Sequence, residues 1–117
     1  MGAGHYDFVT IGGNSLPMQL RLPDFDATGS AFEFRCRTPR QGFIARSTRD
    51  GSITVAVEPG DGGVLRTVIS LELTAAETRK LGEGRVNRYE LERQIGVSEQ
   101  TILAGFIIAS VGSNADV

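Results

Sequence analysis

The sequence predicts an all-β domain, and three observations carry that expectation. Apolar and polar residues alternate with a period of two in one segment after another, most clearly where Phe32, Phe34 and Cys36 interleave with Glu33, Arg35 and Arg37. Turn-forming residues recur roughly every 8–12 positions, the spacing of a sandwich or barrel built from seven or eight short strands. Only Leu71 to Gly82 departs from that pattern, running an alternating strand straight into one short helix.

Each element follows from local chemistry. Met1 to Gly4 is small and is expected to fray, as are residues 113–117. Tyr6 to Ile11 reads as a first strand closed by Gly12-Gly13-Asn14. Leu16, Met18, Leu20 and Leu22 then alternate with Pro17, Gln19 and Arg21. Pro17 lacks an N–H, so this strand belongs at an edge or begins after the proline. Asp24 to Ser30 is a turn, and Phe32 to Arg37 is the clearest half-buried strand. After the Pro39 loop, Phe43 to Thr48 forms a strand, and Asp50-Gly51 signals a hairpin leading into Ile53, Val55 and Val57. Pro59 to Gly63 is a loop, and Leu65 to Leu73 a longer strand with Thr67, Ile69, Leu71 and Leu73 on one side.

A helix follows at about residues 75–81. Thr74 and Glu77 have capping-box spacing, and Gly82 supplies a residue that tolerates positive φ where the helix must stop. Arg85 to Arg93 resumes pairing with Tyr89 and Leu91 inward. Thr101 to Val111 is apolar on both faces and so belongs in a central or covered position. Gly105 inside it marks a bulge or a close backbone approach.

The totals restrict the function. A length of 117 residues predicts one domain. The formal charge of -2 argues against a general nucleic-acid or anionic-membrane binder. Cys36 is the single cysteine, which excludes an internal disulfide and every zinc spacing. No apolar run reaches the length of a membrane span, and the first residues lack signal-peptide character, so synthesis in a cytoplasm is expected.

Candidate chemistry is sparse. Asp24 to Gly29 opens like a calcium loop, but the twelfth position is Arg35 instead of a carboxylate, so an Asx turn with Asp26 accepting from the Thr28 or Gly29 N–H is expected. His5, the sole histidine, lies in the fraying terminus and has no nucleophile or second ligand beside it. Cys36 shares a face with Phe32 and Phe34 and reads as a buried, unreactive thiol. Glu90 and Glu92 have the spacing of a solvated strand face, and Gly60 to Gly63 precedes a strand and so lacks a helix dipole for phosphate. The sequence therefore predicts no enzyme, no cofactor and no metal.

Arg35, Arg37, Arg40, Arg46 and Arg49 cluster with no acid between Arg35 and Arg49. The ordinary reading is a solvated strand face that discourages edge pairing. The functional reading is a partner-contact surface. Every basic residue but Lys80 is arginine, the cation favoured at protein interfaces. Phosphate contact is the weakest reading.

Taken in order, several segments resemble a family of small tailed-bacteriophage virion proteins. The resemblance rests on Phe25-Asp26-Ala27-Thr28-Gly29, on Phe32 to Arg37, on Asp50 to Val55, on the helix at Leu73 to Thr78, on Tyr89-Glu90-Leu91 and on Ile102 to Ile108. It departs at Met18 to Leu22, which lacks the acidic hairpin of such sequences, and at Arg93 to Thr101, which lacks their Asp/Gly turn. The resemblance implies an immunoglobulin-like antiparallel β-sandwich of seven or eight strands with a short helix. It also implies a virion structural protein that docks as an oligomer on other virion proteins: a capsid decoration or head-fibre base, or a tail-fibre or baseplate attachment. No catalytic residue transfers. Exposed edges such as Tyr6 to Ile11, the arginine cluster and Asn114 to Val117 are the expected contact zones. The alternative is a stand-alone adhesion or carbohydrate-binding module of the same fold, which the lack of tryptophan and the scarcity of tyrosine disfavour.

Overall fold

The computed structural model describes residues 4–23, 25, 27–39 and 42–110. Nine strands occur among them: β1 (Gly4–His5), β2 (Phe8–Ile11), β3 (Leu16–Pro23), β4 (Ala31–Thr38), β5 (Gly42–Ser47), β6 (Thr54–Pro59), β7 (Leu65–Leu73), β8 (Gly84–Ile95) and β9 (Ser98–Ser110). The single α-helix, α1, spans Ala75–Thr78. The larger sheet runs β1-β9-β8-β4-β5, with β2 also on β9, and the smaller runs β3-β7-β6. The two sheets pack face to face as a β-sandwich. The all-β expectation holds.

Alternation sets the two facing layers. Phe32, Phe34 and Cys36 of β4, Tyr89 and Leu91 of β8, and Leu103 and Ile107 of β9 turn inward from the larger sheet. They meet Met18, Leu20, Ile69, Leu71 and Leu73 of the smaller one. Tyr89 is the hub: its ring stacks on Phe34 at 5.6 Å and tilts against Phe8 at 5.6 Å. Cys36 is fully buried, and that burial pushes its thiol pKa up to about 12, so the expectation of an inert core cysteine stands. Pro17 lies on β3, which pairs only with β7, so the edge position it demands is met. β9 is central, held by β8 on one side and by β1 and β2 on the other.

Several expectations need correction. The sandwich is not wholly antiparallel, because β1 and β2 run parallel to β9. These strands come from opposite ends of the described chain, so no hairpin sets their direction. The expected strand Tyr6 to Ile11 begins only at Phe8, and a separate two-residue strand ahead of it, β1, raises the count to nine. At the break Tyr6 O accepts from the Tyr89 hydroxyl at 2.6 Å, and Asp7 Oδ1 replaces a ladder carbonyl by accepting the Phe106 N–H at 2.9 Å. Gly105 makes this possible: a Cβ there would lie 2.0 Å from Tyr6 O. The close approach expected at Gly105 is thus explained. His5 belongs to β1, with Nε2 3.0 Å from Asp7 Oδ1, instead of to a frayed end.

Asp50-Gly51 does not close a hairpin. Gly51 does supply a positive φ of 82°, but β5 and β6 lie in different sheets. The turn instead carries the chain across the sandwich, because burial of Ile53, with its N–H on Ser47 O, turns the chain away from β5. The Asp50 carboxylate accepts the Ser52 N–H and hydroxyl and so holds the turn.

The helix is shorter than the expected 75–81. Its capping box is intact, with Thr74 accepting the Glu77 N–H at 3.1 Å and Glu77 accepting the Thr74 N–H at 2.8 Å. The next N–H groups, of Lys80 and Leu81, bond three residues back and tighten the chain into a turn. Gly82 is required for space, because a Cβ would meet Pro39 and Val86 carbons at 2.7 Å; its φ is not positive. Thr78 docks the helix, accepting the Gly13 N–H and donating to Asn14 O at 2.7 Å. Gly4, expected to fray, opens β1 instead; the rest of the expected flexible ends, the Asp24 and Asp26 turn contacts, Val111 and the Asn114 to Val117 contact zone lie outside the described residues.

Candidate docking face

The outward side of the larger sheet collects the exposed functional groups. Period-two alternation that buries Phe34 and Cys36 turns Glu33, Arg35 and Arg37 of β4 outward. On β8 the same alternation turns out Arg88, Glu90 and Glu92. Register brings them into rows: Glu33 pairs with Glu92 and Ser47, Arg35 with Glu90 and Ala45, and Arg37 with Phe43. Arg88 lies next along β8, opposite Phe106 of β9.

At one end of this face Arg35, Arg37, Phe43, Arg88 and Glu90 line a shallow depression of about 360 Å³. Phe43 is 63 % exposed, and the Arg35 guanidinium lies 5.9 Å from its ring centroid. Arg35 also pairs with Glu33 at 2.7 Å. At the other end Glu33, Glu92 and Glu99 share a second, more polar depression of about 450 Å³ with Arg35 and Arg49. Arg49 donates to Gln94 Oε1 at 3.1 Å.

The arginine cluster is therefore divided. Arg35 and Arg37 lie together on the outer face and Arg49 lies at its acidic end. Arg40 is outside the described residues. Arg46 leaves the cluster: it turns to the inward side, where its guanidinium donates to Glu72 O and pairs with the Glu77 carboxylate of α1. Burial raises the Glu77 pKa, but the hydrogen bonds from Arg46 and the Thr74 N–H outweigh it and hold the carboxyl below its ordinary range. Arg46 thus ties β5 to the helix. The sequence placed it in the stripe because spacing along a chain does not reveal which face an even-numbered position takes.

Two members of the face escaped sequence reasoning. Arg88 lies far from Arg37 in sequence and joins it only through β4–β8 pairing, a signal available once Tyr89 and Phe34 are both assigned inward. Phe43 reads as a core residue by hydropathy, but Ile44 takes the inward position instead. A further apolar depression of about 740 Å³ lies at the β6 end, lined by Phe25, Ala27, Val57, Val64 and Leu65 among others. There Val57 and Leu65 stay exposed although the sequence places Val55 and Val57 on a strand face.

Among the described residues, no group of three or more His, Cys, Asp or Glu side chains could hold a metal ion. No helix of the described residues is long and apolar enough to cross a membrane. The sequence matches no family model, and no curated protein is significantly similar to it.

Proposed function

We propose that this chain is a structural docking protein of a bacteriophage particle, acting as an oligomer through the outer face of its larger sheet. The observation that carries this reading is the organised surface of Arg35, Arg37, Arg88 and Phe43. These are residue types enriched at protein interfaces, set on the hydrogen-bonded strands β5, β4 and β8. The serial resemblance to small virion proteins supports the particle context, and a sandwich that presents such a face needs no reacting group to serve as a structural part. Its docking partners are other virion proteins of the capsid, neck, fibre or baseplate.

The test is to purify particles of the phage that encodes the chain on a density gradient and probe the fractions with an antibody to it. Co-migration with the particle band, abolished in particles carrying Arg37→Glu and Arg88→Glu, is the expected result. A chain found only in the soluble fraction at the top of the gradient contradicts the reading.

A further inference from the structure

The outer face is not uniformly charged; it is polar along the strands. Glu33 and Arg37 lie four residues apart on β4, about 13 Å at the rise of an extended strand. Glu92 and Arg88 have the same separation on the neighbouring β8 and run the same way across the sheet. One edge of the face is therefore basic and the opposite edge predominantly acidic, with Arg49 beside Glu33, Glu92 and Glu99. The Debye length at physiological ionic strength is roughly 8 Å, so exposed charges at the two edges are largely screened from each other within one molecule. Among the described residues Arg37, Arg88 and Glu92 form no ion pair, whereas Glu33 pairs with Arg35 of the middle row at 2.7 Å. Between the edges lies a row of mixed sign, Arg35 beside Glu90, flanked by the small side chains of Ala45 and Ala104. Small residues there leave room for another sheet to approach.

We propose that this face seats a second copy of the same chain, stacked sheet on sheet about a two-fold axis lying in the interface and across the strands. That axis reverses strand direction, so Arg37 and Arg88 of each copy meet Glu33 and Glu92 of the other, and every contact occurs twice. The competing two-fold, along the strands, sets basic edge on basic edge and acidic on acidic, and repulsion disfavours it. Charge polarity thus selects both the occupant and its orientation. Phe43, at the end of the basic row, adds apolar area beside the guanidinium groups.

The proposal rests on the docking reading of this face. It is tested by sedimentation velocity on three proteins: the wild type, a basic-edge reversal (R37E with R88E) and an acidic-edge reversal (E33R with E92R). Circular dichroism confirms that all three fold, since the substituted side chains point outward. The wild type is expected to dimerise and to weaken as salt rises. Each reversal alone is expected to lose at least about a hundredfold in dimer affinity. Mixing the two reversals should restore a dimer, because each then offers the other an opposite edge at both contacts. A wild type that stays monomeric, a dimer indifferent to the reversals, or a mixture that fails to associate overturns the proposal. A monomer that still travels with particles refutes this dimer and leaves the docking reading intact. A dimer that behaves as expected but never reaches particles does the opposite.

Discussion

Phe34 and Phe43 sit on adjacent, hydrogen-bonded strands of one sheet, yet they meet opposite surroundings. Phe34 is fully buried with its ring stacked on Tyr89, whereas Phe43 is 63 % exposed with the Arg35 guanidinium 5.9 Å from its ring centroid. The same residue type serves the core in one case and the outer surface in the other, and strand parity decides which. The inner face of the larger sheet should therefore govern stability, and the outer face association. Substitutions on each face can separate the two.

The largest expected effect is at the inner face. Phe34→Ala should cost about 3–5 kcal/mol of unfolding free energy, because the aromatic volume is lost beneath Tyr89 with little room to collapse. Urea denaturation followed by circular dichroism measures it; a loss under 1 kcal/mol would mean that the sheets do not pack on this ring. Next is Gly105→Ala. Its methyl cannot coexist with Tyr6 O, so residues 4–11 should leave β9 and surrender the Phe8 packing, at roughly 3 kcal/mol for the forced rearrangement. Limited proteolysis should then cut the N-terminal arm first, and an arm as protected as in the wild type would refute the clasp.

Acid should act more gently. The Phe106 N–H, acting against some burial and helped by Arg85, holds the Asp7 carboxyl below its ordinary value of 3.8, and Glu77 lies below 4.5. Groups with depressed values stabilise the fold when ionised. Their contribution is complete above those ordinary values and disappears as pH falls through the lower folded ones. The melting temperature should thus be insensitive to these groups between pH 7 and about 5, then decline below about 4.5. Asp7→Asn should flatten part of that decline in a thermal-melt series. A Tm already falling between pH 7 and 5 in the wild type but not in Asp7→Asn would contradict this assignment.

The smallest effect on stability belongs to the outer face. Phe43→Ala should change unfolding free energy by no more than about 0.5 kcal/mol. Its effect should appear in association, as a weaker dimer by sedimentation. A large loss of stability with unchanged association would reverse the roles assigned to the two faces.

Much of the fold is legible in the sequence because one-sided burial forces alternation. Leu65 to Leu73 shows its inward face directly, and the edge position of β3 follows from the missing N–H of Pro17. The capping box at Thr74 and Glu77 is equally plain, since its two hydrogen bonds are local. What stays hidden depends on distant partners. The parallel seat of β2 on β9 joins segments about a hundred residues apart, and the sheet switch after Asp50-Gly51 uses the same turn chemistry as a hairpin. Asn87 is fully buried and bonds both backbone groups of Gly82 and the Ile107 carbonyl, a role that no local pattern announces. The docking face is half legible: Arg35 and Arg37 stand out as neighbours on an outward strand, whereas Arg88 joins them only through pairing and Arg46 departs because the helix carboxylate draws it inward.

Hydroxyl-radical footprinting of the free chain, diluted until it sediments as a monomer, and of the chain in purified particles reaches the docking face most directly. Phe43 serves as the probe on the outer face, and Leu65, 60 % exposed at the β6 end, as the reference. Docking through the larger sheet predicts that Phe43 loses most of its labelling on assembly while Leu65 keeps its own. Full labelling of Phe43 in the particle, with protection confined to Leu65, would contradict it.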